Sequence, residues 1–346
     1  MTDVRLSPSP SRSHDAPVRR ARHTRKALLT AGALCAAGAL LAGCARDPAP
    51  APAATAAGPS TPTPDPKPVI NDGNPRIADS AAGGVHIQYR VYGAGDPLVV
   101  LIHGWSCDSN YWQAQVADLK TRYTVATVDL AGHGGSGANR SDWSMAAFGA
   151  DVAAVVEALK DHPKVVLVGH SMGGPVMVEA ARRLGARVVG VIGVDTLKNV
   201  GLPSPPAAET EKRLAAFEKD FIGSTRAMVQ GSMFTPNSDP VLVRRIVDDM
   251  SQAPPEVALP AIRELNAWEA VPAMNALSVP IVAINADLGG ATDEARIRKL
   301  VPNFRVVTVG GLGHFLMMED PARVNPILDA QIRALANGTG TPAQAS

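Results

Sequence analysis

Residues 164–173 read Lys-Val-Val-Leu-Val-Gly-His-Ser-Met-Gly, and this stretch decides the fold. The apolar, β-branched-rich segment 165–168 predicts a short strand that is buried on both faces. A helix is predicted to follow, from Val176 to Leu184. Ser171 would therefore stand on a tight strand-to-helix turn, with a glycine two residues before it and another two after it. Such a turn lifts the serine hydroxyl out of the sheet and directs the next backbone N–H groups towards the same point.

The apolar run has counterparts along the chain, and each of them ends in polar residues or glycine. These runs are 97–102, 123–128, 188–194, 279–284 and 304–309, with helix-like segments between them. The alternation predicts an α/β protein with a doubly wound, mostly parallel sheet. Functional sites in such sheets collect beyond the carboxyl ends of the strands. We therefore expect the residues that follow the strands to form the site.

Four motifs follow these strands. They are His103-Gly104-Trp105, Asp129-Leu-Ala-Gly-His-Gly-Gly-Ser136, Gly169-His-Ser-Met-Gly173 and Gly313-His314-Phe315. With these motifs in the family's order, the chain from about Gly83 to about Leu335 resembles an α/β-hydrolase. The resemblance implies the α/β-hydrolase fold with an inserted helical cap. It is more specific for the fold than for one activity.

The resemblance also implies roles for particular residues. Ser171 would be the nucleophile and His314 the base, because an imidazole can take the serine proton and return it near neutral pH. The backbone N–H groups of Trp105 and Met172 would form the oxyanion hole. Cys107 is a second candidate nucleophile, but it lacks the strand-turn-helix setting of Ser171.

The triad acid departs from the common pattern of the family. The family usually places an aspartate about five residues after the strand 281–284, and that position is Gly289 here. Asp195 ends the preceding strand, a position that some α/β-hydrolases use for the acid. Asp287 comes two residues before the usual position, and Asp293 comes several residues after it. We favour Asp195, with Asp287 as the alternative and Asp293 as a third candidate.

The strand pattern is interrupted between about 199 and 272, where helical spacing of apolar residues predicts a cap. The predicted helices are 209–221, 239–250 and 260–268. An insertion at this point lies at the catalytic edge of the sheet in the resembled family. Phe234, Met233 and Trp268 are therefore candidates for the substrate pocket.

Residues 1–43 predict a bacterial lipoprotein signal peptide. Basic residues within 19–26 precede the apolar stretch 27–42, which is too short to span a bilayer comfortably. Leu41-Ala-Gly-Cys44 resembles a lipobox, which implies that Cys44 receives a diacylglyceryl group and becomes the mature N-terminus. Two acyl chains hold a protein on a membrane stably. The protein is therefore expected to be exported and lipid-anchored to the bacterial cell envelope.

The rest of the chain divides into three parts. Residues 44–77 are rich in alanine, proline and threonine, which predicts a flexible tether. Residues 78–336 are expected to form one α/β-hydrolase domain, and 337–346 a disordered tail.

The composition argues against several other classes of protein. A formal net charge of +1 without a basic stripe argues against nucleic-acid binding. Of the three cysteines, Cys35 would leave with the signal peptide and Cys44 would be lipidated, so only Cys107 remains in the folded body. No disulfide within the mature chain is therefore expected. No metal-ligand spacing is recognisable, and we expect neither a metal nor another cofactor.

These observations predict a serine hydrolase that cleaves a carboxylic ester of small to medium size through an acyl-enzyme on Ser171. Serine at the turn argues against the dehalogenase and epoxide-hydrolase relatives, which use aspartate there. Thioester, lactone and C–C bond hydrolysis remain alternatives within the fold. From a different class, a ligand-binding receptor that keeps the triad with negligible turnover is also open, because the usual acid position is a glycine.

Overall fold

The computed structural model describes residues 73–203 and 206–339, which are built around an eight-stranded sheet. Its strands are β1 Pro75–Asp79, β2 His86–Tyr92, β3 Leu98–Ile102, β4 Thr124–Val128, β5 Val165–His170, β6 Val188–Val194, β7 Ile281–Ala286 and β8 Phe304–Val309. Their order across the sheet is β1-β2-β4-β3-β5-β6-β7-β8. β2 runs antiparallel to both of its neighbours, and the pairs from β4 to β8 are parallel. The predicted mostly parallel α/β sheet is therefore confirmed.

The central strands are apolar because both of their faces are covered. Every residue of β3, β4, β5 and β7 is buried. Helices on both faces of a parallel sheet make such strands continuously hydrophobic instead of alternating. The strand prediction for 165–168 is right, although β5 continues to His170. Neither β1 nor β2 is predicted from the sequence, because their residues are only partly buried and give a weaker apolar pattern.

Eleven α-helices connect and cover the strands within the described residues. They are α1 Gln113–Leu119, α2 Met145–Ala158, α3 Gly173–Leu184, α4 Ala207–Lys219, α5 Phe221–Ser232, α6 Pro240–Met250, α7 Pro255–Ala267, α8 Ala270–Asn275, α9 Glu294–Leu300, α10 Leu316–Glu319 and α11 Pro321–Asn337. A Cβ on Gly193 of β6 would lie 3.5 Å from Met177 of α3, whereas a Cβ on Gly190 would lie 2.5 Å from Leu335 of α11. Strand residues three apart point to opposite faces. Helices α3 and α11 therefore cover opposite faces of the sheet.

Helix α2 packs closely on α3 because Gly149 has no side chain. A Cβ at Gly149 would lie 2.6 Å from the Cβ of Glu179 and 2.9 Å from the backbone nitrogen of Ala180. Any larger residue would push the two helices apart. The contact fixes α3, whose first turn begins two residues after Ser171.

Helices α4 to α8 form an insertion between β6 and β7, in the segment predicted to be a cap. The predicted helix at 209–221 is interrupted at Asp220, whose side chain accepts the N–H of Gly223 at 2.8 Å and so begins α5. The prediction that the third helix begins at Pro260 is wrong. Helix α7 begins at Pro255, where proline is tolerated because first-turn N–H groups lack a partner, and Pro260 lies inside it.

The folded domain begins earlier than predicted. β1 starts at Pro75, inside the segment 44–77 predicted as a tether, because these residues pair with β2. Helix α11 reaches Asn337, the first residue of the predicted tail. The predicted signal peptide, Cys44, most of the tether and residues 340–346 lie outside the described residues. In the part of the chain that the structure describes, no helix combines the length and the apolar character needed to cross a bilayer.

Candidate active site

Ser171 stands on the turn between β5 and α3 with a backbone φ of 52°. This left-handed conformation is costly for a residue with a Cβ and persists only where the surroundings impose it. A Cβ on Gly169 would collide with the carbonyl of Gly173, and a Cβ on Gly173 would lie 2.5 Å from the carbonyl oxygen of Ile102. The two glycines of the motif are therefore required by the close approach of three backbone segments.

The serine turn is tied to β6 and to the loop that follows it. The backbone N–H of Ser171 donates to the carbonyl oxygen of Val194 at 3.1 Å. The hydroxyl of Thr196 donates to the carbonyl oxygen of Ser171 at 2.7 Å. A Cβ on Gly174 would collide with this threonine, which packs against the first turn of α3. These contacts hold Ser171 beside the loop that carries Asp195.

His314 lies in the loop after β8, and its side chain meets Asp195. The Nδ1 of His314 is 2.6 Å from Oδ2 of Asp195. An ionised carboxylate only accepts hydrogen bonds, so Nδ1 carries the proton and Nε2 is left to accept one. The backbone N–H of His314 donates to the carbonyl oxygen of Met233 at 2.7 Å. The histidine loop is therefore anchored to the insertion.

Asp195 directly follows β6, is buried, and has a backbone φ of 45°. Its Oδ1 accepts the N–H of Ala286 at 2.9 Å and the ammonium of Lys198 at 2.7 Å. Burial raises the pKa of this carboxyl, but the hydrogen bond and charge of His314, together with the ion pair to Lys198, outweigh it and hold the pKa below its ordinary value. Asp195 is therefore an ionised carboxylate with donors on both oxygens.

The other acid candidates make different contacts. Asp287 is exposed, and its Oδ1 accepts the N–H of Gly311 at 2.8 Å, which steadies the loop that carries His314. Asp293 caps α9 by accepting the N–H of Arg296 at 2.9 Å. Gly289, at the family's usual acid position, has a φ of 75°, which glycine adopts without strain. Of the three candidates, Asp195 is the one that bonds to His314.

His170, the residue before Ser171, packs against His314. Their ring centroids lie 4.7 Å apart, and Nε2 of His170 donates to the carbonyl oxygen of His314 at 2.9 Å. Burial, together with the neighbouring His314, lowers the pKa of His170 to about 3, so its ring is neutral at physiological pH. Asp195 and His314 are thus bonded to each other, and Ser171 directly follows the residue that packs on His314, with all three residues beyond the carboxyl ends of β5, β6 and β8.

The loop after β3 runs against Ser171. A Cβ on Gly104 would lie 3.0 Å from the Cβ of Ser171, and Trp105 is the next residue. Met172 precedes the first residue of α3, where N–H groups have no intrahelical acceptor. Over residues 73–203 and 206–339, neither the N–H of Trp105 nor that of Met172 donates to a turn, loop or side-chain acceptor. Two such donors beside a nucleophile are suited to a developing oxyanion.

The side chain of Trp105 extends into the insertion. Its Nε1 donates to the carbonyl oxygen of Ala258 in α7 at 2.7 Å. Its ring makes edge contacts with Phe217 and Phe221, at centroid distances of 6.2 and 6.0 Å. The insertion therefore rests directly on a residue whose backbone adjoins the serine.

Two of the three pocket candidates lie beside the histidine loop. Met233 accepts the bond from the His314 N–H, and the half-buried Phe234 stacks on Phe315 at 5.5 Å. Trp268 follows α7, and its Nε1 donates to Oε1 of Glu179 in α3 at 2.9 Å. Glu179 lies about 9 Å along α3 from the first residue of that helix. The structure therefore shows Trp268 holding the insertion on α3.

Sequence reasoning misses two residues that adjoin the site. Lys198 pairs with Asp195. Tyr111 packs its ring against Phe315 at a centroid distance of 5.8 Å and donates from its hydroxyl to Asp249 in α6 at 2.8 Å. Burial, with Cys107 and Asp249 nearby, raises the pKa of Tyr111 well above its ordinary value, so the hydroxyl remains a donor. Lys198 could be found from its position three residues after Asp195 only if the acid were already known. Tyr111 and Asp249 are 138 residues apart and carry no local signal.

The structure also bears on a cysteine nucleophile and on a metal site. Cys107 is buried, and its thiol donates to the carbonyl oxygen of Trp105 at 3.3 Å, in a loop and not on a strand-to-helix turn. Across 73–203 and 206–339, no group of three or more histidine, cysteine or acidic side chains is arranged to hold a metal ion.

The sequence of the chain matches a known protein family and several known proteins. Residues 99–327 match a family model described as alpha/beta hydrolase family. An uncharacterized protein of Mycobacterium tuberculosis is 36% identical over 115 residues, which span 33% of this chain and 33% of that protein. The match thus spans about one third of the length of that curated relative.

Two further matches extend over more of the chain. A pimeloyl-[acyl-carrier protein] methyl ester esterase of Vibrio parahaemolyticus is 28% identical over 213 residues, covering 59% of this chain and 80% of that protein. The solved structure of a thermophilic esterase from Thermogutta terrifontis superposes with a TM-score of 0.67 at 23% identity, covering 76% of this chain and 99% of that one.

Proposed function

The chain belongs to the alpha/beta hydrolase family, and we propose that it is a serine hydrolase that cleaves a carboxylic ester of small to medium size. The observation that carries the proposal is the 2.6 Å contact between Asp195 and His314 beside the strained turn of Ser171. An ionised acid, an imidazole whose Nε2 is unprotonated and a serine on a sharp turn are the three groups that acyl transfer needs.

The reaction proceeds in two halves. The hydroxyl of Ser171 attacks the ester carbonyl while His314 Nε2 takes its proton, and Asp195 stabilises the imidazolium that results. The N–H groups of Trp105 and Met172 hold the oxyanion. The intermediate collapses as His314 gives the proton to the leaving alcohol, which leaves an acyl-enzyme. Water, deprotonated by His314, then attacks the acyl group, and Ser171 recovers the proton as the carboxylic acid departs.

Two features support an ester as the substrate. Met233 meets the His314 loop through its backbone carbonyl and Phe234 through its ring, and the apolar side chains that these two residues of the insertion carry suit an apolar acyl or alcohol group. Two of the proteins that the chain resembles are named as esterases, one of them acting on a methyl ester. The same triad can also open a lactone, which is a cyclic ester, or cleave a thioester.

A ligand-binding protein with negligible turnover is the competing interpretation. It depends on the glycine at the family's usual acid position. The carboxylate of Asp195 on Nδ1 of His314 weakens that argument, because the imidazole already has an acid partner. Catalysis therefore needs no carboxylate at position 289.

We also propose that the protein is exported and tethered to the cell envelope through lipidation of Cys44. The support is the sequence pattern: a basic segment, the apolar stretch 27–42 and the lipobox-like Leu41-Ala-Gly-Cys44. The proline- and alanine-rich segment that follows would let the enzyme domain reach substrates near the membrane.

The experiment is steady-state hydrolysis of p-nitrophenyl acetate, butyrate and octanoate, an aliphatic lactone and an acyl thioester by the full chain. Ser171→Ala is the matched control, since it removes only one hydroxyl. Ester turnover should fall by several orders of magnitude in the variant, to the background that binding and the oxyanion hole sustain. No turnover of any substrate by the parent would favour the ligand-binding interpretation, and turnover that is equal in the parent and in Ser171→Ala would exclude Ser171 as the nucleophile.

A further inference from the structure

Lys198 forms an ion pair with Oδ1 of Asp195, the carboxylate whose Oδ2 bonds to His314. Its Nζ lies 2.7 Å from Oδ1 of Asp195, and it also donates to the carbonyl oxygens of Ala286 at 2.8 Å and Leu288 at 3.4 Å. The side chain is only 21% exposed. One carboxylate therefore bridges an imidazole on Oδ2 and a fixed ammonium on Oδ1.

The loop that presents Lys198 is held in a conformation it would not adopt alone. Asp195 and Leu197 have φ values of 45° and 60°, in the region that favours glycine. The side chain of Asn285 clamps Thr196 between them, accepting its N–H and donating to its carbonyl oxygen, each at 3.0 Å. Strain of this kind is retained where the surrounding structure imposes it, often at functional sites.

Lys198 itself is fixed from the other side. Arg296 of α9 donates from Nη2 to the backbone carbonyl oxygen of Lys198 at 2.7 Å. Arg296 therefore holds the same loop by binding a backbone carbonyl. Within the described residues, its guanidinium forms no ion pair with Asp195. This difference makes Arg296 a matched control for Lys198.

The charges around the His314–Asp195 pair come from several elements. His170, on β5, packs on His314, and burial with His314 nearby lowers the pKa of His170 to about 3, so it contributes no charge near neutral pH. The other titratable or charged side chains that meet the loop carrying His314 are Asp287 at the Gly311 N–H, Arg323 at the Gly310 carbonyl and Glu319 beside Gly313. In the described part of the chain, the charged partners bonded to the Asp195 side chain are His314 and Lys198.

We propose that Lys198 is a positioning residue that shares the Asp195 carboxylate with His314 and thereby lowers the pH at which the catalytic imidazole loses its proton. The inference rests on the proposed function, because it assigns the pH range of that same triad. An ammonium on Oδ1 offsets part of the carboxylate charge, so the imidazolium on Oδ2 is stabilised less than by a lone aspartate. The neutral, proton-accepting form of His314 is then populated at lower pH.

The test measures the acidic limb of kcat/KM against pH in the full chain and in Lys198→Met, which removes the ammonium and keeps the aliphatic stem. The midpoint of the limb should move up by about one pH unit, at the lower end of the effect of a nearby charge, because the ammonium acts on the imidazole across the shared carboxylate. Lys198→Arg should restore the parental midpoint. Arg296→Met also removes one positive charge from this region and should leave the midpoint where it is in the parent.

A second readout does not require turnover. Titration of the His314 imidazole by NMR in histidine-labelled protein, assigned with a His314→Gln variant, should show the same upward shift in Lys198→Met. Lys198→Gln replaces it if the methionine variant fails to fold. An unchanged imidazole midpoint in the charge-free variants, or an equal shift in Arg296→Met, overturns the inference. An upward shift of the imidazole midpoint in Lys198→Met, relative to a parent that hydrolyses no ester, would keep the inference about Lys198 and reject the proposed function.

Discussion

Asp195→Asn replaces a carboxylate, whose two oxygens only accept hydrogen bonds, by an amide with one acceptor oxygen and one donor NH₂ group. The amide can therefore be placed in two orientations. If the amide oxygen faces His314, the amide NH₂ faces two donors, the N–H of Ala286 and the ammonium of Lys198. This orientation removes the acceptor of the buried Ala286 N–H, at a cost of about 1–3 kcal/mol, and places the amide NH₂ against the Lys198 ammonium. If the amide oxygen faces Ala286 and Lys198 instead, the NH₂ donates to Nδ1 of His314. The second orientation is favoured because it satisfies all of these groups.

The favoured orientation forces the wrong tautomer on His314. Nδ1 must then accept, so Nε2 carries the proton and cannot take one from Ser171. We expect kcat on the best p-nitrophenyl ester to fall by about 10⁴, which corresponds to ~5.4 kcal/mol of transition-state stabilisation. KM should change much less, because the carboxylate does not adjoin the ester.

Asp287→Asn is the matched control. Its amide oxygen can still accept the N–H of Gly311, so the histidine loop stays in place and kcat should fall by less than about tenfold. Both variants must melt within a few degrees of the parent for the comparison to count. A folded Asp195→Asn enzyme with near-normal turnover, beside an inactive Asp287→Asn enzyme, would refute the assignment of the acid.

Three further predictions concern selectivity, acid stability and anchoring. Phe234→Ala should change the preference among p-nitrophenyl esters of graded chain length more than the maximal rate on the best one; unchanged selectivity with a lowered melting temperature would make Phe234 a core residue. Burial lowers the pKa of His133 to about 3 in the folded protein. Between pH 6.5 and 3, the imidazole of His133 is therefore protonated in the unfolded chain and neutral in the folded one. The free energy of unfolding should therefore fall by about 1.4 kcal/mol per pH unit from this group between pH 6.5 and 3. Urea titrations of His133→Asn, which keeps a donor for the Ala131 carbonyl, should show a shallower dependence on pH, and an identical slope would contradict the argument. Cys44→Ser should abolish lipidation, and an unmodified mature N-terminus beyond Cys44 in the parent would exclude the anchor.

Much of the fold and two of the three triad residues follow from the sequence for a simple physical reason. Parallel strands that are buried on both faces leave continuous apolar runs, so the ends of β5 and β8 and the serine and histidine after them can be located directly. The strand-to-helix turn also requires glycines at 169 and 173, which leaves a visible signature.

The remaining features depend on contacts between distant segments. Asp195 and Asp287 both follow buried strands, and only the path of the His314 loop distinguishes the two. Trp268 looks like a pocket residue by its chemistry, but its indole N–H is taken by Glu179. The ammonium of Lys198 meets a carboxylate only because the loop after β6 turns through left-handed residues that carry side chains.

The most direct test of the central claim is the site at which the protein is acylated or phosphonylated. Treatment of the full chain with a fluorophosphonate, followed by peptide mass spectrometry, should give one adduct, on Ser171, with loss of ester hydrolysis in proportion to labelling. Ser171→Ala should take up no label. An adduct on Cys107, or ester turnover that survives in Ser171→Ala, would contradict the account.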